Sequence, residues 1–361
     1  MVKGVRDVVT GACVLFVTLG GVPGPVARAA ADGYDTACAA PTRTLTGGGT
    51  APPIRAGEVV LFASGAYTSA AAVLTGGGVA CLAPGATWTV STFDNPVGSI
   101  YVRGRLAVDT FLALIPGFLL DNEGAVSFGA VLQTSSDAML INHKGATWEG
   151  IGSQSLLGTS SLTNDGTMNL TGSLTLAEQS TFTNTGEATL GAFQNGATTT
   201  NTGHVTVEGG ATTSGTFVNR CWADFLFGYS SEGSTDNEGV IVATGGTVSR
   251  MGLYISGRYA GTATSVTSGS DFLVTSAGLT TGAGGYRFTG TTTVRGSVIG
   301  NPLITFYDTT RTGNQIFDVV TGTVTNVVRA VVPAPDPAVP PAGCAAATAE
   351  LSITKGITPG G

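Results

Sequence analysis

Leu162-Thr163-Asn164-Asp165-Gly166-Thr167-Met168-Asn169-Leu170 is followed one unit later by Phe182-Thr183-Asn184-Thr185-Gly186-Glu187-Ala188-Thr189-Leu190. The two stretches share one grammar. An apolar residue stands two places before an Asn-x-Gly tripeptide, and apolar residues stand two and four places after its Gly. The tripeptide recurs at Asn122-Glu123-Gly124, Asn201-Thr202-Gly203 and Asn237-Glu238-Gly239. Asn142-His143-Lys144-Gly145 is the same unit with one residue inserted. Asn219 is followed by Arg220-Cys221, and its Gly is lost. Successive Asn residues are 20, 22, 20, 17, 18 and 18 apart. A weaker copy, Asn95-Pro96-Val97-Gly98, lies upstream.

The flanks repeat with the turns. Leu120, Leu140, Leu162, Phe182, Thr199, Phe217 and Thr235 precede the Asn residues; Val126 and Phe128, Met168 and Leu170, Val205 and Val207, and Ile241 and Ala243 follow the glycines. Alternation of this kind marks strands with one apolar face. A second Gly follows each of these runs, as at Gly172 and Gly191, so the unit reads as turn, short strand, turn, short strand. One such unit cannot bury its apolar side alone, and a period of this length fits one coil of a β-solenoid. Stacked coils place equivalent side chains about 4.8 Å apart. The apolar residues then form inward columns, and the Asn amides form a hydrogen-bonded ladder. Asn and Gly also accept the left-handed conformations of tight turns. The alternative is a β-sandwich in which the tripeptides are separate hairpin turns. The regular spacing of the flanking residues favours the solenoid.

Composition agrees. Gly accounts for 55 of 361 residues, 42% are hydrophobic and 11% are charged. That is too apolar for a disordered chain. The net charge is −7. With no basic cluster in view, the mild acidity argues against a nucleic-acid partner.

Residues 1–29 read as a signal peptide. Lys3 and Arg6 give a basic start, Val8 to Val22 an apolar stretch, and Ala27-Arg28-Ala29 a small-residue cleavage site. The stretch is too short and Gly-rich to span a bilayer well, so no membrane span is expected in the mature chain. Residues 30–330 are assigned to the solenoid. Residues 331–343 form a Pro-rich linker, extended and semi-rigid. In an exported chain Cys38, Cys81, Cys221 and Cys344 are disulfide candidates. Three pairings are open; Cys38–Cys81 is favoured because both lie in the N-terminal segment, which leaves Cys221–Cys344. Their wide spacing and the presence of only two His indicate no metal site and no cofactor.

The runs Gly57-Glu58-Val59-Val60-Leu61-Phe62, Gly65-Ala66-Tyr67 and Leu82-Ala83-Pro84-Gly85-Ala86-Thr87-Trp88, together with the repeat, resemble the opening coils of the right-handed parallel β-helix superfamily. That superfamily includes pectate-lyase-like enzymes and many bacterial surface proteins. The resemblance covers roughly residues 40–330 and implies an all-β, right-handed parallel β-helix (β-solenoid). Near the C-terminus, Ala349-Glu350-Leu351-Ser352-Ile353-Thr354-Lys355 resembles the first strand of Ig-like surface repeats of the DUF11 type. Residues 344–361 therefore read as a tail or as the start of such a repeat.

Enzymes on this fold cut polysaccharides, with paired carboxylates or with Asp-bound Ca²⁺ and a base. Asp121 and Glu123, and Asp236 and Glu238, flank Asn-x-Gly turns and read as solvated turn pairs. Glu123, His143 and Asp165 occupy the variable position of three consecutive units and stack as acid, His, acid if the Lys144 insertion leaves the register intact. Trp148 beside Glu149 is a candidate sugar platform or a core residue. The segment Cys221 to Tyr229 interrupts the repeat and gathers Trp222, Phe225, Phe227 and Tyr229, as an exposed binding loop or as an aromatic plug. Arg220 and Glu238 fall in one column and are expected to pair. The sequence thus points to an exported, non-catalytic surface or secreted protein, adhesin-like or structural, with extracellular glycan or another surface protein as partner. The competing reading is a polysaccharide lyase or glycoside hydrolase.

Overall fold

The computed structural model describes residues 33–93, 96–110, 112–114, 116–245, 252–307, 316–330 and 344. Residues 1–29, read above as a signal peptide, Asn95, the Pro-rich segment 331–343 and the DUF11-like stretch lie outside them. The described chain is an all-β, parallel β-solenoid of about 13 coils, with one short helix at Tyr34–Ala37. Every strand pairing among the described residues is parallel. Hairpins of a β-sandwich would pair antiparallel, so that alternative is excluded. Among the described residues no helix is long and apolar enough to cross a membrane.

Each coil has three strand faces, one more than the repeat suggests, and in some coils two faces run together as one long strand, as in Thr167–Leu176. In one coil they are Thr198–Asn201, His204–Val207 and Ala211–Thr213; the next coil stacks Thr216–Asn219, Trp222–Phe225 and Tyr229–Ser231 directly on them. The third strand escapes notice in the sequence because its inward positions are mixed: Leu132, Gln154, Leu174, Phe193 and Ala211 form one column. On the first face, Leu120, Leu140, Leu162 and Phe182 line the interior in register. Above them large and small residues alternate: Phe182, Thr199, Phe217, Thr235, Tyr259 and Thr280. A ring in one coil thus packs over a threonine in the next, and all six side chains are buried. Burial of each large apolar side chain stabilises the fold by about 1.5–3 kcal/mol.

The Asn residues form one buried ladder. Asn122, Asn142, Asn164, Asn184, Asn201, Asn219 and Asn237 are all fully inaccessible. Each Nδ2 donates to the next Asn Oδ1, at 2.7, 2.7, 2.7, 2.8, 2.8 and 2.9 Å. The second Nδ2 hydrogen goes to a backbone carbonyl at the start of the next coil's second strand. These carbonyls are Thr147, Thr167, Glu187, His204, Trp222 and Val240. Asn219 keeps its place despite losing the Gly. In the coil before Asn122 the ladder position is held by Val102.

Two expectations about the tripeptide need correction. Neither these Asn nor Gly124, Gly166, Gly186, Gly203 and Gly239 adopts a left-handed backbone. The Gly is needed for close approach instead: a Cβ on Gly186 would lie 2.1 Å from the Gly166 carbonyl oxygen. In the Asn142 coil the equivalent of that Gly is Ala146, because Ala125, Thr147 and Thr167 pair in one column. Lys144-Gly145 is therefore a two-residue insertion, with Gly145 at φ 85° supplying the extra turn.

Beyond Asn237 the rungs become Gly261, Gly282 and Gly300. The Tyr286 hydroxyl lies 3.2 Å from where a Cβ on Gly261 would stand. The buried Tyr286 thus reaches the place of the missing amide at Gly261, and the Asn signature fades while the coils continue to Ala330.

Cys38 and Cys81 are disulfide-bonded, as are Cys221 and Cys344, the favoured pairing. Non-reducing peptide mapping of the full-length protein should recover these two cross-linked peptides; Cys38 linked to Cys221 or Cys344 would contradict it. Asn184→Ala should remove one donor pair and one acceptor from the ladder at once. With about 1–3 kcal/mol for each buried group left unpaired, urea denaturation should show a loss of at least about 2 kcal/mol. The outward Thr183→Ala should change stability by less than about 0.5 kcal/mol.

Candidate functional site

The outer side of the first face carries the densest polar constellation. It is built where the N-terminal segment folds back. The helix Tyr34–Ala37 lies against Gly98–Val102, tied down by the Cys38–Cys81 bond. The Arg103 guanidinium stacks over the Tyr34 ring at 4.3 Å. It donates to Asp35 at 2.5 and 2.8 Å and to Glu123 at 2.6 Å. Arg103 therefore fastens the helix to two successive coils.

Asp121 sits beside this clamp. Its neighbours Leu120 and Asn122 face the core, so its own side chain projects outward, yet it is only 1% exposed. Asp121 Oδ1 lies 2.9 Å from His143 Nε2, and Oδ2 has no hydrogen-bond partner. Burial raises the Asp121 carboxyl above its usual range; the His143 contact opposes that rise. The turn pair read as solvated is therefore one buried carboxylate and one half-buried carboxylate bound to arginine.

The Glu123, His143 and Asp165 backbones do stack in register. His143 N–H donates to the Asn122 carbonyl at 2.8 Å and Asp165 N–H to the Asn142 carbonyl at 2.7 Å. The Lys144-Gly145 insertion bulges outward without shifting the column. The side chains nevertheless part: Glu123 turns to Arg103, His143 to Asp121, and Asp165 accepts from Thr185 Oγ1 at 2.6 Å. The cluster that forms is Asp121, Glu123 and His143, with Asp165 outside it. Asp121 was read as solvated, but it is buried between Tyr101 and Ile141 on the strands stacked either side of it. The only signal was the strand alternation that sets it outward next to Tyr101.

The aromatic candidates divide. Trp148 is buried in the core, its indole N–H directed at Gln154 Oε1 at 3.3 Å, so it offers no surface platform. Phe225 and Tyr229 are also interior, with rings stacked at 4.3 Å and the Tyr229 hydroxyl 2.6 Å from Thr235 Oγ1. Trp222 faces outward, half-buried, edge-on to His204 at 6.2 Å; His204 in turn meets Asp224 at 3.0 Å. Only Phe227, with Leu226, stands exposed in a turn, at 48% and 43%. The segment is an aromatic plug with an outward edge, and Cys221 at its head replaces the Gly and bonds Cys344. Further along the column, Arg220 meets Glu238 at 3.3 Å and Arg258 meets Asp236 at 2.5 Å. These acids are spoken for by guanidinium groups and do not converge as an acid–base pair.

No known protein-family description, no curated protein and no solved structure matches the chain.

If Arg103 is the clamp, Arg103→Ala should free the Tyr34–Ala37 helix while the coils persist. Hydrogen exchange should rise several-fold in peptides covering residues 34–38 and stay unchanged in those covering 181–201.

Proposed function

We propose that this chain is an exported, non-catalytic β-helix protein of the cell surface or secreted space, with an adhesive or structural role. The observation that carries this reading is how the polar groups are used. The most regular ones, the seven ladder Asn, are consumed inside the stack. Most outward acids near one another are paired with Arg103, Arg220 or Arg258. Such an arrangement serves a long, stable scaffold better than a reaction centre. Two disulfides suit an oxidising compartment.

The outward positions of the first face support contact with a repeating polymer. Ser161 and Thr163, Thr181 and Thr183, and Thr198 and Thr200 present hydroxyl pairs in three successive coils, one strand spacing apart. Short hydroxyl side chains in regular rows can hydrogen-bond an extended glycan with little entropy loss.

Cell fractionation and a glycan panel test the proposal together. The full-length protein should be recovered outside the cytoplasm and should release no reducing ends or unsaturated products from any polysaccharide. Cytoplasmic recovery would sink the export reading. Reducing-end release abolished by Asp121→Asn or Glu123→Gln would establish a lyase or hydrolase instead.

A further inference from the structure

We propose that Asp121, Glu123 and His143 form a binding site for one divalent transition-metal ion of the zinc class. Two independent observations meet here. One ligand atom from each residue falls within 4.8 Å of the other two. In addition, the Asp121 side chain is 1% exposed, and while its Oδ1 meets His143 its Oδ2 is buried with no hydrogen-bond partner. A buried oxygen without a donor is costly to leave so, and a metal ion is a group that would satisfy it.

The chemistry of the set selects the ion. One imidazole nitrogen and two carboxylates match zinc and its neighbours, which take three protein ligands and leave a fourth position for water. Calcium takes six to eight oxygens and no imidazole, so it fits poorly. Charge agrees as well. Asp35, Asp121 and Glu123 face the single guanidinium of Arg103. Three carboxylates facing one guanidinium leave an excess of negative charge, which a divalent cation offsets. Arg103 engages Glu123 through Oε2, which leaves Oε1 for the ion. His143 Nε2 already points at Asp121 Oδ1; the ion would take the place of the proton they share. His143 is 39% exposed, so the site can fill from solvent.

The frame is stiff. Asp121 and Glu123 stand on one coil and His143 on the next, and Leu119–Asn122 pairs with Met139–Asn142 residue by residue. A metal there would rivet two coils at the place where the N-terminal helix is fastened. The site was invisible in the sequence because its ligands share no compact spacing motif; coil stacking brings them together.

The test is calorimetric titration of EDTA-stripped full-length protein with ZnCl₂, paired with NMR of the histidine side-chain nitrogens. One ion per chain should bind, and the His143 ring nitrogens should shift on its addition. His143→Gln, Glu123→Gln and Asp121→Asn should each weaken binding at least about 10-fold, whereas His204→Gln should leave it unchanged. Should Asp121→Asn fail to fold, the decision rests on His143→Gln and Glu123→Gln, whose side chains reach solvent. Absence of a saturable site for Zn²⁺, or binding equally tight in His143→Gln, would overturn the proposal.

Discussion

A buried primary amide has two donor hydrogens and a carbonyl to satisfy, and leaving any of them unpaired in the interior costs about 1–3 kcal/mol. In this chain each ladder Asn between the two end rungs satisfies its neighbours by being stacked. Its carbonyl takes a hydrogen from the coil before; its amide gives one hydrogen to the coil after and one to that coil's backbone. The arrangement is satisfied only when successive coils are in register, so one side-chain contact fixes turn position, strand pairing and column alignment together. All the outward chemistry is hung on that frame, including the placement of Asp121, Glu123 and His143 on adjacent coils.

The repeat was legible because the ladder demands the same residue at the same place. Leu140, Leu162 and Phe182 announce the inward column for the same reason. The third strand was not legible: Gln154, Phe193 and Ala211 share a column but no residue type, since that wall packs against whatever the other two faces leave open. The meaning of the Gly was misread in an instructive way. Asn-x-Gly suggests a turn that needs unusual dihedrals, whereas here the backbone is ordinary and the missing Cβ matters.

The polar cluster illustrates a different blindness. Glu123, His143 and Asp165 could be aligned by counting residues, and their backbones are aligned. Counting cannot say which way a side chain turns once Arg103 and the folded-back helix compete for it. Asp121 looked solvated because it flanks a turn; in the stack it is buried between Tyr101 and Ile141 of the neighbouring coils. Likewise Trp148 and Trp222 look equivalent in the sequence, and only the pleat separates a core residue from a surface one.

The alternation of Phe182, Thr199, Phe217, Thr235, Tyr259 and Thr280 along the first face gives this part of the solenoid a parity. Removing the single coil that holds Thr199 would set Phe182 directly against Phe217, overfilling one layer of a close-packed interior. Removing that coil together with the next would bring Phe182 onto Thr235 and keep the order of large and small. The Asn ladder would tolerate either deletion, since every rung is the same. The amides thus permit growth or shrinkage by one coil, while the aromatic rings permit it only in twos, and the natural quantum of length change in this stretch is a pair of coils.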